Sequence, residues 1–146
     1  MKAAATFSER QKGANIGEAL FEEYCKRKNV RYFRLGFTEK TDEIPNYWQI
    51  NGYLRNLPDY LVITSTRNFL VMVKGTSNMK KQEIAMIPQF LEWYHSKECN
   101  LYYAFCFEGQ NTPYFRTPDQ VIELYQEGVD KQWTDGKIYR SLKFEG

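Results

Sequence analysis

Histidine occurs once in this chain, at His95, and cysteine three times, at Cys25, Cys99 and Cys106, with no CxxC pair among them. A lone histidine gives little support to a Ser/His or Cys/His triad, and the ligand spacing of a zinc site is absent. The cysteines stand in apolar or helical contexts, so they read as reduced, buried thiols, and a cytoplasmic setting is expected. No apolar run approaches the length of a membrane span, and the N-terminus lacks the apolar stretch of a signal peptide, so no membrane partner is expected. Neither sign of charge dominates, since 20 Lys and Arg stand against 18 Asp and Glu for a net +2. That balance is compatible with nucleic acid without demanding it, because binding depends on where the cations cluster. Internal repeats and low-complexity tracts are missing too.

What remains is an ordinary globular composition with an excess of rings. At 146 residues, 42% hydrophobic and 26% charged, the chain is long enough for one domain with a real core, and its 16% aromatic content is the distinctive figure. Between Gly13 and Lys28 the residues Ile16, Leu20, Phe21 and Tyr24 recur at helical spacing, with Glu22, Glu23, Lys26 and Arg27 on the other faces. Val30 to Phe37 alternates as a strand does. Thr38 to Asn56 has no period and carries Pro45, Asn51-Gly52 and several aromatics, which predicts a long loop or inserted excursion.

Two strands are predicted next, Leu57 to Thr64 and Phe69 to Gly75, and the short polar turn Ser65-Thr66-Arg67-Asn68 makes them an antiparallel hairpin. A helix from about Lys80 to Lys97 follows from the stripe Ile84, Ile87, Leu91 and Tyr94, with Pro88 predicting a kink or a late start. Leu101 to Phe107 is nearly continuous in apolar and aromatic residues, as in a strand covered on both faces. Strand, helix, strand implies a right-handed crossover, a parallel pair and a mixed sheet with helices on it. A short helix from Thr117-Pro118-Asp119 and a strand near Lys137 to Phe144 close the domain.

The chemistry of this pattern concentrates at Lys74. An ammonium ending the run Phe-Leu-Val-Met-Val must meet an anion, snorkel away or mark the strand's exit into solvent. One hairpin earlier stands Pro58-Asp59, and the first helix carries Gly17-Glu18.

Helix with Gly17-Glu18, strand, hairpin with Pro58-Asp59 and Lys74, helix, strand: over residues 13 to 108 this order resembles the PD-(D/E)xK nuclease superfamily, the restriction-endonuclease-like fold of Holliday-junction resolvases and RecB-like nucleases. The resemblance implies an α/β domain with a mixed central sheet flanked by helices, its core at about 13–108; the C-terminal helix and strand within 117–144 belong to the same expected domain. It also implies Mg²⁺-dependent, or Mn²⁺-dependent, hydrolysis of phosphodiester bonds, with DNA as the expected partner. Glu18 and Asp59 would hold the metal, and Lys74 would orient or activate the attacking water. Hard oxygen ligands of this kind suit Mg²⁺, which binds through one or two carboxylates plus substrate phosphate.

One position departs from the pattern. The acidic residue expected two places before the lysine is Met72, and a thioether does not ligate a hard cation. Three explanations stand: the carboxylate has migrated to Glu83 on the following helix; Glu18, Asp59 and the Val73 carbonyl hold the metal alone; or catalysis is lost and binding of nucleic acid or a protein partner remains.

Candidates for nucleic-acid contact are Lys80, Lys81, Arg67 and Arg55, with Gln89 on the helix after the lysine strand and Tyr47 and Trp48 in the aromatic excursion. Lys80-Lys81 also reads as a solvated helix start, and the aromatic excursion as a satellite core or the contact of a homodimer.

Overall fold

The computed structural model describes residues 7–35 and 51–144, with side chains from residue 16 onward in the first stretch. Tyr47 and Trp48 lie outside the described residues. Helix α1 spans Phe7–Arg27, with Lys26 and Arg27 in its last turn. Asn29, at φ 55°, ends it in the left-handed region, where its short side chain is tolerated, and the Val30 amide turns back to the Cys25 carbonyl at 2.9 Å.

Among the described residues five strands make the main sheet: β1 Arg31–Arg34, β2 Tyr60–Ile63, β3 Asn68–Lys74, β5 Cys99–Phe105 and β6 Tyr114–Arg116. Their spatial order is β1-β2-β3-β5-β6. β2 and β3 form the expected antiparallel hairpin, and β3 and β5 the expected parallel pair, with Met72 opposite Tyr103 and Lys74 opposite Phe105. Strand alternation sorts the residues. Val71 and Val73 from β3, with Ala104 and Cys106 at the end of β5, pack under Phe21 and Cys25 of α1. Met72, Tyr103 and Phe105 point the other way, into a second core with Ile87, Val121 and Leu142. The apolar run Leu101 to Phe107 is explained by helices on both faces.

The second face carries α3 Lys81–Ala85, α4 Ile87–Tyr94 and α5 Pro118–Gln126. The single helix predicted from Lys80 is therefore two. Pro88 sits at the first turn of α4, where its missing N–H costs nothing, and Met86 joins the two helices. α5 starts as expected, with Thr117 capping the Gln120 amide.

A smaller sheet, in the order β4-β8-β7, is built from β4 Asn78–Lys80, β7 Lys131–Gln132 and β8 Ile138–Ser141. The predicted last strand thus pairs here rather than in the main sheet. Lys80 ends β4 and also stands at the N-cap of α3, so a helix does start where expected. The segment before β2 includes a one-turn helix, α2 Gly52–Arg55, capped by Asn51. Among the described residues no helix is long and apolar enough to cross a membrane.

Candidate active site

β3 ends at Lys74, where the main sheet opens between α1 and α3 into a cleft of about 520 Å³. Glu18, Asp59, Lys74, Glu83, Lys80 and Arg55 all line it, although they come from α1, the approach to β2, the end of β3, α3, β4 and α2. Arg34 and Tyr103, not singled out from sequence, line it too, as does Gln82.

The register of α1 on the sheet is set by glycine. A Cβ on Gly17 would lie 2.6 Å from the Gly75 Cα and 2.8 Å from its nitrogen, so only two bare backbones can approach this closely. That contact brings Glu18, the next residue, to the end of β3. Its Oε2 accepts from the Arg34 guanidinium at 2.7 Å, and Arg34 also lies 3.5 Å from Glu22 Oε2 and 3.4 Å from the Tyr60 hydroxyl. The Tyr60 hydroxyl in turn donates to Glu22. Burial pushes the Glu18 carboxyl above its ordinary range; Arg34 opposes that shift and the Glu22 charge adds to it.

Asp59 follows the buried Pro58. Its carbonyl accepts from the Leu35 amide at 2.8 Å, and its Oδ2 accepts from the Val73 amide at 2.7 Å, fixing the carboxyl against β3. Burial raises its pKa from the ordinary 3.8 to about 6; the Val73 hydrogen bond pulls it down, Glu18 pushes it up, and Lys74 and Arg34 pull it down. What Val73 offers in these contacts is an amide donor, while its side chain is buried under α1.

On the opposite wall, Lys74 Nζ donates to Glu83 Oε1 at 2.8 Å, and Glu83 Oε2 accepts from the Lys80 amide at 2.9 Å. Glu83 is the third residue of α3, so one carboxylate caps the helix and holds the lysine. Burial opposes charge on Glu83, but Lys74 and the two hydrogen bonds outweigh it, and the carboxyl is held below its ordinary range. Glu83 is therefore neither a plain surface residue nor a free ligand.

Three other candidates fall away from the cleft. Arg67 is in the β2–β3 turn, at the far end of a seven-residue strand, roughly 20 Å from Lys74 at ~3.3 Å per residue. Lys81 is exposed on the first turn of α3 and does not line the cleft. Gln89 lies on α4 and contacts Glu92 at 3.4 Å, whereas Gln82, on α3, lines the cleft instead.

Among the described residues no three His, Cys, Asp or Glu side chains come together as a metal cage. Magnesium does not require one, because one or two carboxylates with water and phosphate suffice. Glu18 and Asp59 fit that need. Both are acids whose charge is disfavoured by burial, and each lacks the strong compensation Glu83 enjoys, so a divalent cation in the cleft would relieve them. Both Glu83 oxygens already accept hydrogen bonds, which leaves it the weaker donor of the three. Neither protein-family models nor curated proteins show a match to this chain.

Proposed function

We propose that this protein is a magnesium- or manganese-dependent nuclease of restriction-endonuclease-like architecture that hydrolyses DNA phosphodiester bonds. The observation that carries the reading is the convergence of Glu18, Asp59 and Lys74, from three separate elements, on one cleft at the end of β3. A mixed five-stranded sheet with helices on both faces is compatible with that architecture.

Glu18 and Asp59 would hold the ion. When bound, it supplies an acidified water and positive charge against the phosphoryl oxygens. Lys74, fixed by Glu83 at 2.8 Å, keeps its ammonium at the cleft, where negative charge grows in the transition state. Arg34, Arg55 and Lys80 line the same cleft and provide positive charge for flanking phosphates.

One observation favours a second reading, a degenerate protein that binds nucleic acid or a protein partner without cutting. Met72 stands where an acid belongs, and its side chain packs into the second core. Incubating labelled duplex, single-stranded, flap and four-way-junction DNA with Mg²⁺, Mn²⁺ or EDTA separates the two. Metal-dependent cutting by the wild type, lost in Lys74→Ala and Asp59→Ala, is expected. Salt-dependent binding without cutting under either metal would establish the second reading instead.

A further inference from the structure

The cleft is larger and greasier than a phosphate and a metal ion need. Beside its charged residues, Met72, Met86 and Phe90 form an apolar wall, and Tyr103 lies beneath with only 2% of its surface exposed. Tyr103 lines the cleft, and the charges of Glu83 and Asp59 are near enough to oppose ionisation of its hydroxyl. A hydroxyl at the cleft can exchange solvent for a ligand's polar atom, as donor or as acceptor. Metal-bound water and phosphate oxygens make no use of thioethers and a phenyl ring, whereas a flat heteroaromatic ring does: methionine sulfur is polarizable and packs favourably on such faces.

Resting on the nuclease reading of the same cleft, we infer that it takes the base of an unpaired nucleotide, so that the preferred substrate is single-stranded or locally unpaired nucleic acid. Met72, Met86 and Phe90 would pack on the base, the Tyr103 hydroxyl and the Gln82 amide would meet its polar edge, and the cations at the cleft would meet the adjoining phosphates. A base stacked and paired inside a duplex offers neither its face nor its pairing edge to this wall. The volume fits, since about 520 Å³ falls within the range of pockets that enclose a small molecule.

The test is fluorescence anisotropy at low salt with Ca²⁺, strand integrity being checked on a gel. The probes are a labelled 12-nucleotide single strand, the same strand made wholly of abasic sites, the paired duplex, and a deoxynucleoside monophosphate as competitor. The intact single strand is expected to bind at least tenfold tighter than the abasic strand or the duplex. Tyr103→Phe, which keeps the ring, and Met86→Gln, which keeps the length, should each weaken the intact strand threefold or more and leave the abasic strand unchanged. Circular dichroism would establish that both variants fold. Competition by the mononucleotide at concentrations that leave the abasic strand bound would locate the recognition in the base itself.

Equal binding of intact and abasic strands, tighter binding of the duplex, or equal weakening of both strands by Tyr103→Phe would overturn the inference. Cleavage with Mg²⁺ is scored separately. Base-dependent binding with no cutting would overturn the nuclease reading and keep the base site, while cutting that is indifferent to abasic substitution would do the reverse.

Discussion

The two walls of the cleft each pair a carboxylate with a cation, and they do it differently. On the α3 wall, Glu83 and Lys74 are 2.8 Å apart with side chains 33% and 24% exposed, and the Lys80 amide completes the set. On the α1 wall, Glu18 and Arg34 are as close, at 2.7 Å, but the arginine side chain is 62% exposed and must also answer to Glu22 and Tyr60. The consequence is a carboxyl held low on one side and carboxyls pushed high on the other, at Glu18 and Asp59. Glu83 is compensated within the protein and serves as the lysine's holder. Glu18 and Asp59 remain under-compensated, which is what the proposed cation site would need.

Removing the centre of either wall should have the largest effect. Lys74→Ala and Asp59→Ala are each expected to lower the rate of metal-dependent DNA cleavage by at least about 100-fold, because charge stabilisation at a transition state is commonly worth that much per group. Glu83→Gln should cost less, on the order of tenfold, since the amide oxygen still accepts from Lys74 while the charge is lost. An equal loss from Glu83→Gln and Asp59→Ala, measured on one substrate, would make Glu83 a ligand rather than a holder.

Next in size is the contact that sets the two walls apart. Gly17→Ala places a methyl 2.6 Å from backbone at Gly75, which no side-chain rearrangement relieves. A cost of about 1–3 kcal/mol is expected from overpacking, seen as a lower urea midpoint. Cleavage should fall further than the lost stability explains, because Glu18 moves with the helix. A variant with full activity would show that Glu18 need not stand where α1 holds it.

Opposite signs of pH dependence sharpen the comparison further. Asp59 titrates near 6 when folded against 3.8 ordinarily, so its contribution is fully present below 3.8 and is lost as pH rises through about 6. Glu83, held low, contributes above its ordinary 4.5 and loses that contribution as pH falls through its folded value. Urea midpoints across this range should therefore rise with pH less steeply in the wild type than in Asp59→Asn, and more steeply than in Glu83→Gln. Cleavage by the wild type should climb as pH passes about 6, because Asp59 must lose its proton to serve the proposed cation site.

Much of this architecture was legible in the chain because it is local or periodic. The turn at Ser65 to Asn68 dictates the β2–β3 hairpin, the apolar run at Leu101 demands cover on both faces, and Thr117-Pro118 with Gln120 spells a helix start. The three-residue β4 and the two-residue β7 are too short to show a period, and the pairing of β4 with β8 depends on contacts some sixty residues away, such as Met79 with Arg140. Lys74, Asp59 and Glu18 were accessible as residue types in an order. Their partners were not, because Arg34, Glu22 and Tyr60 meet only after three elements pack, and nothing in Tyr103's aromatic strand distinguishes a hydroxyl facing a cleft from one at a surface.

The smallest effect, and the most discriminating for the two walls, belongs to Arg34. With 62% of its side chain in solvent, its pair with Glu18 is screened by water and salt, so Arg34→Gln should change stability by no more than about 0.5 kcal/mol. Lys74→Met, by contrast, strips a half-buried carboxylate of its partner and should cost about 1–2 kcal/mol. What Arg34→Gln should alter is chemistry: Arg34 draws the Glu18 and Asp59 carboxyls down, so its loss moves the acid limb of the cleavage profile to higher pH while the plateau rate falls only a few fold. If the two substitutions cost the same stability, burial does not separate the walls. If the acid limb stays in place, Arg34 meets the substrate's phosphates and does not tune the carboxylates.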